Sequence, residues 1–204
     1  MTPPVDIVAP RDFTSTYTSG INNLEANFRY KTPVQNRWTT FLVGFRYLDL
    51  TESLTTTLAD PNGQLADEVL ATKTINRLYG AQIGLDVSLS GDCRYCIDLY
   101  GRAGIYGNDA STATQLISVV NPPDGFTAGG GAGQTSFLGE IGIKGRFRLN
   151  ENLNFYSSYN VLFLEGVALA PDQIAATDIL SGTGHSASGG ILLYGGTVGL
   201  EFTY

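Results

Sequence analysis

Residue-by-residue alternation at the carboxyl end constrains this chain more than any other feature. Leu192, Tyr194, Gly196, Val198, Leu200, Phe202 and Tyr204 fall on one face of an extended segment, with Leu193, Gly195, Thr197, Gly199, Glu201 and Thr203 on the other. At roughly 3.3 Å per residue and a tilt of about 40°, such a strand crosses on the order of 30 Å, the thickness of a hydrocarbon core. One face suits lipid and the other water. A terminal aromatic, here Tyr204, is the usual end of the last strand of an outer-membrane barrel.

The pattern recurs upstream. Phe137, Ile141, Ile143, Phe147 and Leu149 alternate with Glu140, Lys144, Arg146 and Arg148, and Tyr95, Ile97, Leu99 and Ile105 alternate with Asp98, Tyr100 and Arg102. Tyr79 to Leu89 opposes Gln82 and Asp86; Phe41, Val43, Phe45 and Tyr47 oppose Arg46; Leu24, Phe28 and Tyr30 oppose Glu25 and Arg29; Phe155, Tyr159 and Phe163 oppose Asn154 and Asn160. A charge on a lipid face costs about 2–4 kcal/mol near the bilayer midplane, so the charged faces are expected to line a lumen. The expected membrane-facing aromatics are Phe41, Phe45, Tyr47, Phe137, Phe147, Phe155, Tyr159, Phe163, Tyr194, Phe202 and Tyr204. The fold class predicted is all-β, an antiparallel up-and-down transmembrane barrel with about eight strands in this chain.

Composition removes the rivals. No run approaches the apolar stretch of about 18 residues that a membrane helix needs. A net charge of −7 disfavours nucleic acid, which calls for clustered Lys and Arg. With Cys93, Cys96 and His185 as the complete stock of thiols and imidazoles, no metal site and no cofactor is expected. Residues Met1 to Pro10 lack the basic-then-apolar pattern of an export signal, so any such signal is expected to be removed or upstream.

The connections fall into two classes. Residues 31–37, 90–93 and 150–152 are brief; residues 51–72, 107–134 and 168–188 are long and rich in Gly, Pro, Thr and Asp, as the two rims of an outer-membrane barrel require. If the short turns and the end of the last strand share the periplasmic rim, the strand at residues 20–30 descends and an ascending strand before it is missing. Residues 1–19 are expected to be irregular or a partial strand, residues 20–204 to form the barrel, and the whole to be the carboxyl-terminal portion of a larger one.

Several segments resemble the putative beta-barrel porin-7 family: FLVGFRYLDLTESL from Phe41, LYGAQIGLDV from Leu78, LYGRAGIYGN from Leu99, YNVLFLEGVALAPDQ from Tyr159 and GGILLYGGTVGLEFTY from Gly189. The resemblance implies an outer-membrane barrel of a Gram-negative-type cell, and no catalytic residues or substrate come with it. The partners expected are outer-membrane lipid, the barrel-assembly machinery through the carboxyl-terminal strand, and small solutes.

The lumen set is Glu25, Arg29, Arg46, Asp86, Asp98, Arg102, Glu140, Lys144, Arg146, Arg148 and Glu201. Its near balance of sign favours ion pairing, and the expected pairs are Arg102 with Glu140, and Asp98 with Arg146 or Arg148. Two roles stand open: a salt-bridged plug filling a small barrel, or a polar constriction in a wider one, where Lys144, Arg146 and Arg148 would lend a weak anion preference. Function divides accordingly between a porin-like barrel passing small solutes and a non-conducting anchoring or surface-interaction barrel.

Three smaller features read as structural. Cys93 and Cys96 form either a turn-locking disulfide or two unpaired thiols. His185 with Ser186 and Ser188 lacks a nucleophile-elbow motif and is expected to be an exposed loop histidine, so no enzyme is expected. The loop acids Glu52, Asp60, Asp67, Glu68, Asp109, Asp124, Asp172 and Asp178 carry the net negative charge and are expected to be solvated.

Overall fold

The computed structural model describes residues 12–34, 37–60, 67–89, 94–118, 124–178 and 181–202. It contains β1 (Asp12–Val34), β2 (Arg37–Ala59), β3 (Glu68–Ser88), β4 (Tyr95–Ser118), β5 (Asp124–Arg148), β6 (Leu153–Val167), the short helix α1 (Ala170–Ala176) and β7 (Gly189–Phe202). The strands pair antiparallel in chain order, β1 to β7, as one up-and-down sheet. The described strands number seven, against the eight or so expected. β1 runs unbroken through residues 19 and 20, so residues 12–19 are strand.

The sheet curls into a half-barrel. Neighbouring strands lie roughly 4.8 Å apart, so on a flat sheet β2 and β5 would be separated by about 14 Å. Arg46 of β2 nevertheless reaches Glu140 of β5 at 2.9 Å, and Arg102 of β4 reaches Glu25 of β1 at 3.2 Å. That common face is therefore concave. Period-2 alternation then fixes the rest, because every apolar residue one step out of phase points to the convex side.

The convex face carries an apolar band with exposed Phe28, Phe45, Ile83, Ile105, Ile141 and Tyr194. Its upper margin is a polar row in register across four strands, Asn22, Asp49, Arg77 and Asp109, within which Arg77 Nε approaches Asp49 at 3.9 Å. Beyond that row the outer face becomes Thr51, Ser53, Thr55 and Thr57 on β2 and Ser111, Ala113 and Gln115 on β4. The strands continue regardless. A 23-residue strand such as β2 measures about 75 Å along its length, roughly twice what a tilted crossing of the hydrocarbon core consumes. The spans expected as loops at 51–72 and 107–134 are thus mostly sheet, and the connections shrink to residues 60–67 and 119–123. The misreading has a plain cause: once both faces meet water, alternation no longer marks a strand.

The third long connection leaves the sheet and turns inward. At Gly166 the backbone takes a positive φ of 79°, and the β6–β7 register shifts between Glu165 and Val167. Val167, Ala168 and Ala170 are then fully buried, and α1 packs over β2, β3 and β4 on the concave side. Among the described residues no helix is long and apolar enough to cross a membrane.

Candidate functional site

The concave face is layered along the barrel axis. Nearest the short turns lies a charged cleft, in the middle an apolar belt, and toward the long connections the infolded segment 168–188, of which residues 168–178 and 181–188 are described.

The charged cleft encloses about 670 Å³ and draws residues from all seven strands, among them Arg29, Trp38, Asp86, Tyr100, Lys144, Tyr156 and Thr197. Its pairs form mostly across the curl. Arg29 bonds Asp86, Arg146 Nη2 lies 2.7 Å from Asp98, and Lys144 Nζ lies 3.5 Å from Glu201 while resting 4.4 Å above the Tyr156 ring. At its floor, Arg46 and Arg102 share Glu25 and Glu140: Arg46 reaches Glu140 at 2.9 Å and Glu25 at 3.5 Å, while Arg102 reaches Glu25 at 3.2 Å and Glu140 at 3.9 Å. Gln82 donates to Glu25 and Asn27, and Asn23 accepts from Arg46, which closes the cluster with neutral groups. Arg46 and Glu140 are almost wholly buried, so each carboxylate needs the cation that it has.

The register places Arg102 directly opposite Glu140, yet Glu25 is the nearer partner of Arg102. Asp98 pairs with Arg146 on the adjacent strand as expected. Glu140 keeps the expected contact with Arg102 on the neighbouring strand at 3.9 Å, but its nearest counter-charge, Arg46, stands three strands away, and Lys144 finds Glu201 two strands away. Curvature is the reason, because it brings the tips of long side chains together above the strands between them. Arg148, at the exposed end of β5, has no ion pair among the described residues.

Above this cluster, Leu48, Leu50, Leu78, Tyr106, Leu138, Leu162, Leu164 and Val167 form a buried apolar belt on the concave side. Tyr106 keeps its hydroxyl satisfied on Gln82 at 3.3 Å. All but Val167, which reaches this side through the register shift after Glu165, follow the lumen-facing phase, so alternation alone reads them as apolar residues on the wrong face.

The infolded segment covers the belt and is held by polar side chains of the wall. Asn76 pairs with Ala168 through both of its amide atoms, each at 2.8 Å. The Gly166 carbonyl accepts from Asn108 at 3.1 Å, from Ser136 at 2.5 Å and from Gln134. Glu52 accepts the Ala170 N–H at 2.9 Å and the Tyr17 hydroxyl at 2.6 Å. Burial and that bond to Glu52 push the Tyr17 phenol up to about 12. Inside the segment, buried Gln173 donates to the carbonyls of Leu169 and Ser186 and accepts the Ser186 N–H. Glu52 is therefore not a solvated loop acid; it is fully buried and anchors the segment.

His185 also departs from expectation. It is half-buried, its Nδ1 lies 3.4 Å from the Thr112 hydroxyl, and Ser186 and Ser188 approach each other instead. The Cys93–Cys96 alternatives lie outside the described residues, since Cys93 does; Cys96 stands on β4 opposite Arg146. Of the aromatics expected outside, Phe41, Phe45, Phe137, Phe155, Tyr159, Phe163, Tyr194 and Phe202 are exposed on the convex face. Tyr47 and Phe147 are half-buried, Phe147 against the Tyr95 ring at 4.8 Å, and Tyr204 lies outside the described residues. Sequence reasoning passed over Trp38 and Tyr156 as lining groups of the cleft, although both share the phase of the charges around them.

No curated protein matches the chain. A family model does, over residues 8–179, which takes in β1 to β6, α1, the apolar belt and the cleft apart from its β7 residues. The chain belongs to the putative beta barrel porin-7 family.

Proposed function

We propose that this chain is part of the wall of an outer-membrane barrel in a Gram-negative-type cell, passing small polar solutes passively through a lumen narrowed by segment 168–188. The observation that carries this reading is the segregation of the two faces: exposed rings and aliphatics outside, ion pairs and amides inside. In lipid every backbone group needs an internal partner, so the edges β1 and β7 must be paired. Both strands run from the long connections toward the short turns, and an odd number of further strands closes such a wall antiparallel. The partners on this reading are lipid along the convex band, the barrel-assembly machinery through β7, and small solutes in the lumen. The acidic end at the long connections then lies on the cell surface, and the barrel does no catalysis.

A second reading is favoured by the buried leucines of the apolar belt, which fill the concave side at mid-height. On it the barrel is a non-conducting envelope anchor or surface-interaction protein. Planar-bilayer recording of the full-length protein separates the two. Discrete, reproducible channels support the porin reading, and silence from a barrel shown to be folded by its heat-dependent gel mobility supports the anchor.

A further inference from the structure

We propose that the cleft at the short-turn mouth binds small organic carboxylates with an apolar part, and that Lys31 supplies their counter-charge. The proposal rests on the concave face being the lumen, but not on whether that lumen conducts.

Five cationic and three carboxylate side chains line the cleft. Each carboxylate is already taken: Asp86 by Arg29, Asp98 by Arg146 and Glu201 by Lys144. Arg102 is engaged with Glu25 at the floor. Of the five cations, Lys31 alone has no carboxylate partner among the described residues, and its ammonium rests 4.6 Å above the Trp38 ring. Entering anions therefore meet an uncompensated charge, whereas entering cations meet carboxylates whose charge is spent. A second observation points the same way. The Nε atoms of Arg102 and Arg146 and Oδ1 of Asp86 are buried at this cleft without hydrogen-bond partners among the described residues, so unused donors outnumber unused acceptors. Trp38, Tyr100 and Tyr156 add aromatic wall, which favours a ligand with an apolar body over a bare inorganic ion.

Trp38 is the single tryptophan of the sequence and stands beside Lys31, so its emission reports on occupancy. The full-length protein in detergent micelles is titrated with cyclohexanecarboxylate and with cyclohexanecarboxamide, its neutral counterpart of the same shape. A saturable change is expected that requires about tenfold less carboxylate than carboxamide and vanishes in Trp38→Phe. Lys31→Gln is expected to erase the preference and Lys31→Arg to retain it. Equal affinities for the two probes, an unaltered preference in Lys31→Gln, or no saturable change would overturn the proposal. Because the readout is binding, a channel-silent protein that still prefers the carboxylate overturns the porin reading alone.

Discussion

The side-chain amide of Asn76 is joined to the backbone of Ala168 by two hydrogen bonds of 2.8 Å, across 92 residues of sequence. A strand residue thereby does for the infolded segment what a neighbouring strand would do, satisfying one N–H and one C=O at the point where the chain leaves the sheet. Asn76→Ala removes both bonds and strands those buried groups. At about 1–3 kcal/mol per unsatisfied group, segment 168–188 is expected to open about 2–6 kcal/mol more easily. Hydrogen exchange confined to those residues measures the change, and unaltered exchange would mean that the segment is held elsewhere.

Tyr17 and Glu52 give the same segment a pH limit. With the phenol pushed up to about 12 in the folded chain and near 10 when free, folding favours the neutral form. The stabilising contribution is fully present below about pH 10 and disappears as pH rises through about 12. Tyrosinate absorbance compared between the parent and Tyr17→Phe is expected to show one phenol titrating late. A difference spectrum centred on the ordinary tyrosine range would contradict this.

The ion pairs differ in worth according to burial. Arg46 sits wholly inside with Glu140 and Glu25, so Arg46→Met leaves two carboxylates to share the single cation Arg102 and is expected to cost about 3–5 kcal/mol. The Lys144–Glu201 pair is partly exposed, and Lys144→Met is expected to cost about 0–1 kcal/mol. Urea unfolding in micelles ranks the two variants, and equal effects would contradict the burial argument.

The convex band makes a depth-dependent expectation. Ile83 is 66% exposed near the middle of the band, and Ile83→Arg is expected to destabilise the barrel in lipid by about 2–4 kcal/mol. Ser111, also outward and exposed but beyond the polar row of Asp49 and Arg77, is expected to tolerate Arg within about 0.5 kcal/mol. Unfolding from vesicles compares the two, and equal tolerance at both positions would count against a bilayer around the band.

Legibility in the sequence followed the contrast between lipid and water. Where Phe45 and Ile141 face one way and Arg46 and Glu140 the other, strand and facing could both be read from the residues alone. Where Thr55 and Glu52 alternate, both faces are polar, and the strand was hidden although Glu52 turns out to be buried. The infolded segment was hidden for a different reason: its anchors Asn76, Asn108 and Gln134 are single amides on the three neighbouring strands β3, β4 and β5, and no local pattern encodes their contacts with a segment so far along the sequence. One local signal was available, since Pro171 followed by Asp172 opens a helix in the manner of an amino-terminal turn within a stretch otherwise composed like a loop. The ion-pair partners depended on curvature, which alternation does not carry.

The sidedness of the wall is tested most directly by spin labels placed one at a time at Ile141 and Ser158 of the full-length protein in lipid vesicles, with Cys93 and Cys96 replaced by Ser. Ile141 is 65% exposed on the convex face, and Ser158 lines the charged cleft. The label at Ile141 is expected to collide with oxygen dissolved in the bilayer and to be shielded from a water-soluble nickel chelate, and the label at Ser158 to show the reverse. Free access of the chelate to Ile141, with Ser158 shielded from it, would contradict a lipid-facing convex side and a water-facing concave one.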